Sequence, residues 1–194
     1  MLINSGCERV LVVMAETLSQ FTPPDDLRML VTVGDGAACV LLERGSGPGF
    51  KVMLHGSAPE FAHTMSIREP FPPTRPGAEY VYRFQDSRSA ATFLSGKWRP
   101  LWRESLDEAG IGRDELAHWF FHQTHSAQVN ALLRETGIDG RIAPRVIESY
   151  GNMGTPTFAV ALSAAFARLK PGDPDLLQAV GGGISWCAIA AEHE

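Results

Sequence analysis

The chain has 194 residues, 44% of them hydrophobic and 20% charged, with a formal net charge of -5. That is enough apolar material for one globular domain or a piece of a larger one, and the mild acidity, with no Lys/Arg cluster, speaks against nucleic-acid binding. Apolar runs such as Val10–Ala15 and Phe158–Phe166 are too short to span a bilayer, and the N-terminus lacks the pattern of a signal peptide, so a cytoplasmic protein off the membrane is expected.

Arg9–Ala15 is a β-branched run and reads as a buried strand. Phe21–Arg28 is a Pro/Asp loop, Met29–Val33 leads into Gly34-Asp35-Gly36, and Ala37–Glu43 reads as a second strand. Gly45–Gly49 is a turn cluster and Val52–His55 a further short strand. Ser57–Gly77 has no period and reads as a long surface loop. Tyr80–Phe84 alternates weakly.

Ala90–Ala109 places Phe93, Leu94, Trp98, Leu101, Trp102 and Leu106 at helical spacing, with Pro100 kinking the helix or starting a new one and Gly110 and Gly112 ending it. Asp114–Leu116 starts a short turn. Trp119–Phe121 reads as a buried strand, Ser126–Thr136 as a helix closed by Gly137, and Val146–Ser149 as a short strand. Thr155 and Pro156 have the chemistry of an N-cap and first position for a helix to about Leu169, stopped by Pro171-Gly172-Asp173. Leu176–Val180, Gly181-Gly182-Gly183 and Ile184–Ala191 read as strand, tight turn and strand. The alternation predicts an α/β fold, a sheet covered by helices.

Three features could carry chemistry. His122 leaves a strand at a βα junction, where open α/β sheets place ligands, and imidazole suits proton transfer near neutral pH; a core or capping histidine is the alternative. Asn152 lies between Gly151 and Gly154 just before a helix, so its amide falls near a helix N-terminus; the alternative is a turn Asn in the left-handed conformation. The glycines Gly181–Gly183 allow backbone N–H groups close to a ligand, as in an oxyanion hole, or form a plain hairpin turn. Cys7, Cys39 and Cys187 are odd in number and far apart, which suits reduced thiols. His122 and His125 are the one close histidine pair and have no nearby Cys, so no metal site is expected.

The three features occur in this order in one family. Trp119-Phe120-Phe121-His122-Gln123 resembles the strand and His-Gln of the β-ketoacyl-[acyl carrier protein] synthase III family. Ser149–Gly154 resembles its Tyr-Gly-Asn-Thr-Ser motif, and Gly181-Gly182-Gly183-Ile184-Ser185-Trp186 its Gly-Gly-Gly-Leu-Thr-Trp. Gly34-Asp35-Gly36-Ala37-Ala38, after the strand Val10–Glu16, is similar to its Gly-Asp-Gly-Ala-Gly. Ala109-Gly110-Ile111 with Asp114-Glu115-Leu116 resembles the helix end and turn before its His strand.

The resemblance implies a thiolase-like fold: residues 1–50 as a remnant of its N-terminal half, residues 51–194 as its C-terminal half, with a mixed sheet covered by helices. It implies that His122 and Asn152 belong to a Cys-His-Asn triad that stabilises the enolate of a malonyl thioester. It also implies that the Gly181–Gly183 backbone completes an oxyanion hole for an acyl-cysteine. It calls for no cofactor; coenzyme A or acyl carrier protein thioesters are the implied substrates. Gln123 and His125 fall where the pantetheine arm passes, His125 standing in place of the usual Asn. Arg134 falls where the carrier protein docks, although Ala127 replaces a basic residue there, and Arg28 falls near a contact for the nucleotide of coenzyme A. A solvated-surface reading of both arginines remains open.

The family's nucleophilic cysteine lies at the start of a helix upstream of Val10–Glu16, and Met1–Gly6 is expected to form the last turns of that helix. None of the three cysteines fits this place, so the chain alone is expected to condense nothing. A cysteine-bearing N-terminal half or self-association, hence an oligomer, is expected to cover the apolar face that a lone half exposes. A non-catalytic thioester-binding or interaction subunit is the alternative.

Overall fold

The computed structural model describes residues 6–47, 49–67 and 80–193. Strand β1 (Arg9–Thr17) and strand β2 (Asp35–Glu43) pair antiparallel along their whole length, Arg9 opposite Glu43 and Thr17 opposite Asp35. The β-branched run forms a strand, as its composition requires, but not a buried one. Leu11 and Val13 are 59% and 67% exposed, and Met14 is the buried residue of β1. The two strands form a sheet of their own, and among the described residues no layer covers their apolar outer face. Between them, the expected loop over Phe21–Arg28 contains helix α1 (Leu27–Leu30), because the Asp26 carboxylate accepts hydrogen bonds from the backbone N–H groups of Arg28 and Met29.

A second sheet has the order β3-β8-β7-β6, built from β3 (Phe50–Ser57), β6 (His118–Phe121), β7 (Pro174–Gly181) and β8 (Ser185–Glu192). β6 and β7 are parallel and the other pairs antiparallel, which makes the expected mixed sheet. β6 is buried on both faces. Trp119 and Phe121 join a core with Trp98, Leu101, Leu106, Val129 and Leu132, while Phe120 points the other way to Met153, Ala161 and Ala165. Helix α2 (Ser87–Phe93), a π-helical turn at Leu94–Trp98 and α3 (Leu101–Ala109) replace one kinked helix; Pro100 stands at the start of α3, and Gly110 ends it with φ of 67°. Helix α4 (Ser126–Thr136) has the predicted limits and closes on Gly137 with φ of 67°.

Three expectations are corrected. The described part of the Ser57–Gly77 segment is ordered as a 3-10 turn (Pro59–Thr64) and a short strand β4 (Met65–Ser66) paired with β5 (Arg83–Phe84); residues 68–79 lie outside the described residues, as do residues 1–5 of the expected helix end. Val146–Ser149 is not a strand: helix α5 (Ile147–Tyr150) occupies it, started where the Gln123 Oε1 accepts from the N–H groups of Val146 and Ile147. Helix α6 (Pro156–Ala165) begins at Pro156 as expected, but Thr155 makes no cap, because its hydroxyl is turned to Glu16.

α6 lies between the two sheets, touching β1 and β2 on one side and β6 and β7 on the other, while α3 packs on the opposite face of the four-stranded sheet. Ala159, Ala161 and Ala165 are its buried small residues, and they let two sheets approach one helix. The chain is therefore α/β with helices on both faces of its larger sheet.

Candidate active site

β6 delivers His122. The His122 N–H donates to the Gln178 carbonyl at 2.9 Å, which carries the β6–β7 ladder one residue past the strand and fixes where the imidazole leaves the sheet. Gln123 turns back into the protein and is 1% exposed. Its Nε2 donates to the Pro144 carbonyl at 2.8 Å, and its Oε1 accepts from Val146 and Ile147 at 3.0 and 3.2 Å. Both polar atoms of that amide bond to backbone of the α5 approach, so Gln123 braces the strand end, with one Nε2 N–H not used in these bonds. His125 is exposed and caps α4, its Nδ1 accepting from the Gln128 N–H at 3.1 Å.

Asn152 arrives on a turn that β1 and β2 help to shape. Its N–H donates to the Thr32 carbonyl at 2.7 Å, and its carbonyl accepts from the Gly34 N–H at 2.9 Å, a one-residue parallel bridge with Val33. The approach is close enough that a Cβ on Gly34 would sit 1.9 Å from the Tyr150 carbonyl oxygen. Gly151 and Gly154 take the positive φ angles, 71° and 67°; Asn152 does not, so the left-handed alternative is set aside. The Asn152 Oδ1 accepts from the Gly154 N–H at 3.0 Å. A backbone N–H needs an acceptor, so this bond settles the amide's orientation and leaves Nδ2 as a free donor beside the start of α6.

The two residues meet at Gly154. The His122 imidazole is half-buried and its pKa is lowered to about 4 by desolvation, opposed by a backbone hydrogen bond at Gly154 and by the charge of Glu16. The ring is thus neutral at pH 7, with one N–H to donate and one bare nitrogen to accept. Glu16 was not singled out from the sequence. It comes from β1, and its Oε1 accepts the Thr155 hydroxyl at 2.6 Å. The contact joins residues 139 positions apart, and no local motif announces it.

The Gly181–Gly183 run is the β7–β8 turn, with Gly183 at φ of 114° and Gly181 and Gly182 exposed. β7 runs parallel to β6, and the hairpin lies beyond the position paired with His122. It therefore leaves the sheet at the same end as the imidazole, roughly 7–13 Å further along at about 3.3 Å per residue. Arg134 is exposed on the last turn of α4, and Arg28 is exposed with its guanidinium 3.7 Å from the Asp26 carboxylate; neither is brought to His122. Cys7 and Cys39 are exposed free thiols, and Cys187 is half-buried within β8, its pKa raised by desolvation. A groove of about 430 Å³ on α3, lined by Trp102, Arg103, Asp107 and Arg113 among others, includes none of these residues. Among the described residues no group of three or more His, Cys, Asp or Glu side chains is placed to hold a metal, and no helix is long and apolar enough to cross a membrane.

Two sheets about a shared helix, with a strand-end His, a turn Asn and a glycine hairpin, define a thiolase-like α/β protein. The solved β-ketoacyl-[acyl carrier protein] synthase III from Thermus thermophilus superposes with a TM-score of 0.86 at 23% identity, covering 100% of this chain and 62% of that one. Residues 1–56 match the family model for 3-oxoacyl-[acyl carrier protein] synthase III, and residues 106–193 match the model for its C-terminal part. The chain belongs to the 3-oxoacyl-[acyl carrier protein] synthase III family. A β-ketoacyl-[acyl carrier protein] synthase III from Mesorhizobium japonicum is 29% identical over 188 residues, 94% of this chain and 58% of the relative. The third synthase III of Streptomyces coelicolor is 35% identical, over 97% of this chain and 60% of the relative. The chain thus spans somewhat over half the length of the curated relatives it matches.

Proposed function

We propose that this chain supplies the His–Asn arm of an acyltransferase that condenses an acyl thioester with a malonyl thioester, and that a cysteine at a helix start in a segment outside these residues is the nucleophile. In that reaction the cysteine thiolate takes the acyl group and expels the first carrier thiol. The malonyl carboxylate then leaves as carbon dioxide, its C–C bonding pair passing into an enolate. The enolate carbon attacks the acyl-cysteine carbonyl, and the thiolate departs. Charge builds on the malonyl thioester oxygen, and the imidazole N–H of His122 and the Asn152 Nδ2 are the donors that would meet it. A backbone N–H of the Gly181–Gly183 hairpin would meet the oxyanion at the acyl-cysteine. Acyl-CoA or acyl carrier protein would deliver the thioesters.

The observation that carries this reading is the Asn152 amide, its Oδ1 fixed by the Gly154 N–H so that its NH2 group is left to donate, with the neutral imidazole of His122 near the same turn. A missing segment is supported by α6, which is apolar on all sides yet leaves Phe158, Val160 and Leu162 half-buried; such a helix belongs between layers. The test is co-production with a cysteine-bearing N-terminal half of a relative, followed by an assay of carbon dioxide release and condensation. His122→Ala and Asn152→Ala are each expected to lower turnover by about 100- to 1000-fold, the loss typical of one oxyanion donor. Turnover unaffected by either substitution, or absent from every assembly, would move the reading to a non-catalytic thioester-binding subunit.

A further inference from the structure

We infer that Glu16 is a positioning residue of this site, holding the Asn152 turn through Thr155 and setting a negative charge against His122. The inference rests on the reading of His122 and Asn152 as a working pair. Two contacts carry it, and the effect of the Glu16 charge on His122 agrees with them. The Glu16 Oε1 accepts the Thr155 hydroxyl at 2.6 Å, one residue past Gly154. The Glu16 side chain packs on Gly154 so closely that a Cβ there would meet its Cγ and Cδ at 3.3 Å, so the carboxylate lies against the residue whose N–H orients the Asn152 amide. Its charge also acts on the imidazole, in the direction that favours the proton. A carboxylate in this place has two separable effects. As a hydrogen-bond acceptor it restrains the turn, which keeps the Asn152 amide oriented by Gly154. As a charge it opposes the effect of desolvation on the His122 imidazole.

The two effects can be taken apart by substitution in the purified chain, with readouts that need no catalysis. Glu16→Gln keeps an oxygen acceptor for Thr155 and removes the charge. Thr155→Val removes the hydroxyl and keeps the charge. NMR of the His122 ring protons from about pH 7 down to about pH 2.5, or to the onset of unfolding, brackets a midpoint lowered to about 4, and it is measured with hydrogen exchange of the Gly154 amide for parent and variants. Glu16→Gln should move the His122 titration to lower pH and leave Gly154 exchange within about twofold of the parent. Thr155→Val should speed Gly154 exchange by about three- to tenfold, the loss of one hydrogen bond of ordinary strength, and leave the His122 titration in place. A His122 titration that is the same in Glu16→Gln and parent would overturn the inference, as would Gly154 exchange unchanged in Thr155→Val. Neither result bears on whether the assembled enzyme condenses thioesters, so this inference and the proposed reaction fail separately.

Discussion

His122 leaves β6 with its imidazole pKa lowered to about 4 by burial, while free histidine titrates near 6.5. The folded chain therefore binds this proton more weakly than the unfolded chain, and stability drains away as pH falls from 6.5 towards 4, then levels off. The span limits the effect to roughly 3 kcal/mol, less in practice for a half-buried ring. Asp35 and Asp86 have carboxylates held below the usual range by hydrogen bonds from Ser19 and Ser89, so their contribution is lost at lower pH, beneath the carboxylate range. Asp175, its pKa raised by burial, binds its proton more tightly in the folded chain and opposes this slope, so in the segment between pH 6.5 and 5 it is the difference made by replacing His122 that reports on the imidazole. Urea unfolding of the parent should show falling stability through that segment, and His122→Gln should flatten it; an equal slope in both would place the neutral imidazole in doubt. The lowered pKa also suits the proposed chemistry, because an uncharged ring can donate its N–H to a developing oxyanion without giving up a proton to it.

At the scale of elements, the tightest joint is the one between the start of β2 and the turn after α5. Gly34 meets the Tyr150 carbonyl so closely that Gly34→Ala cannot be absorbed without shifting backbone. A loss of about 1–3 kcal/mol in thermal unfolding is expected, together with displaced Asn152 amide resonances. Unchanged stability would mean that this joint is loose. Much of the element plan was legible in the sequence. α4 announced itself through Val129, Leu132 and Leu133 and the Gly137 stop, and β7 and β8 through two apolar runs flanking three glycines. Val146–Ser149 was misread because four residues carry no period, and what makes α5 helical is the distant amide of Gln123. The exposure of β1 was illegible for a different reason: alternation and branching report that a strand is apolar, not what covers it. His122, Asn152 and the hairpin were legible as motifs, while Glu16 and Thr155 were not, since their meeting depends on how α6 sits against the ribbon.

At the scale of the molecule, apolar surface is left open on one side. Leu11, Val13 and Leu41 are 59%, 67% and 55% exposed, and by strand alternation and cross-strand register they share the outer face of the ribbon. A soluble chain seldom carries such a surface unpaired. In sedimentation velocity at tens of micromolar the chain is expected to associate, or to bind a cysteine-bearing half when one is supplied. Val13→Glu with Leu41→Lys should weaken either association without changing the far-UV circular dichroism, because both side chains point away from α6. A parent that stays monomeric and binds no such half would remove the case for a covering segment. The bridge between Val33 and Asn152 has a further meaning for anyone who would cut or graft this protein. The β1–β2 ribbon is not an appendage to a self-sufficient larger sheet, because it and the residues leading into β2 supply part of the mould in which the Asn152 turn is cast. The His122 and Asn152 arrangement is therefore not portable as residues 51–194 alone, and a shuffled or minimised version must carry the ribbon with it.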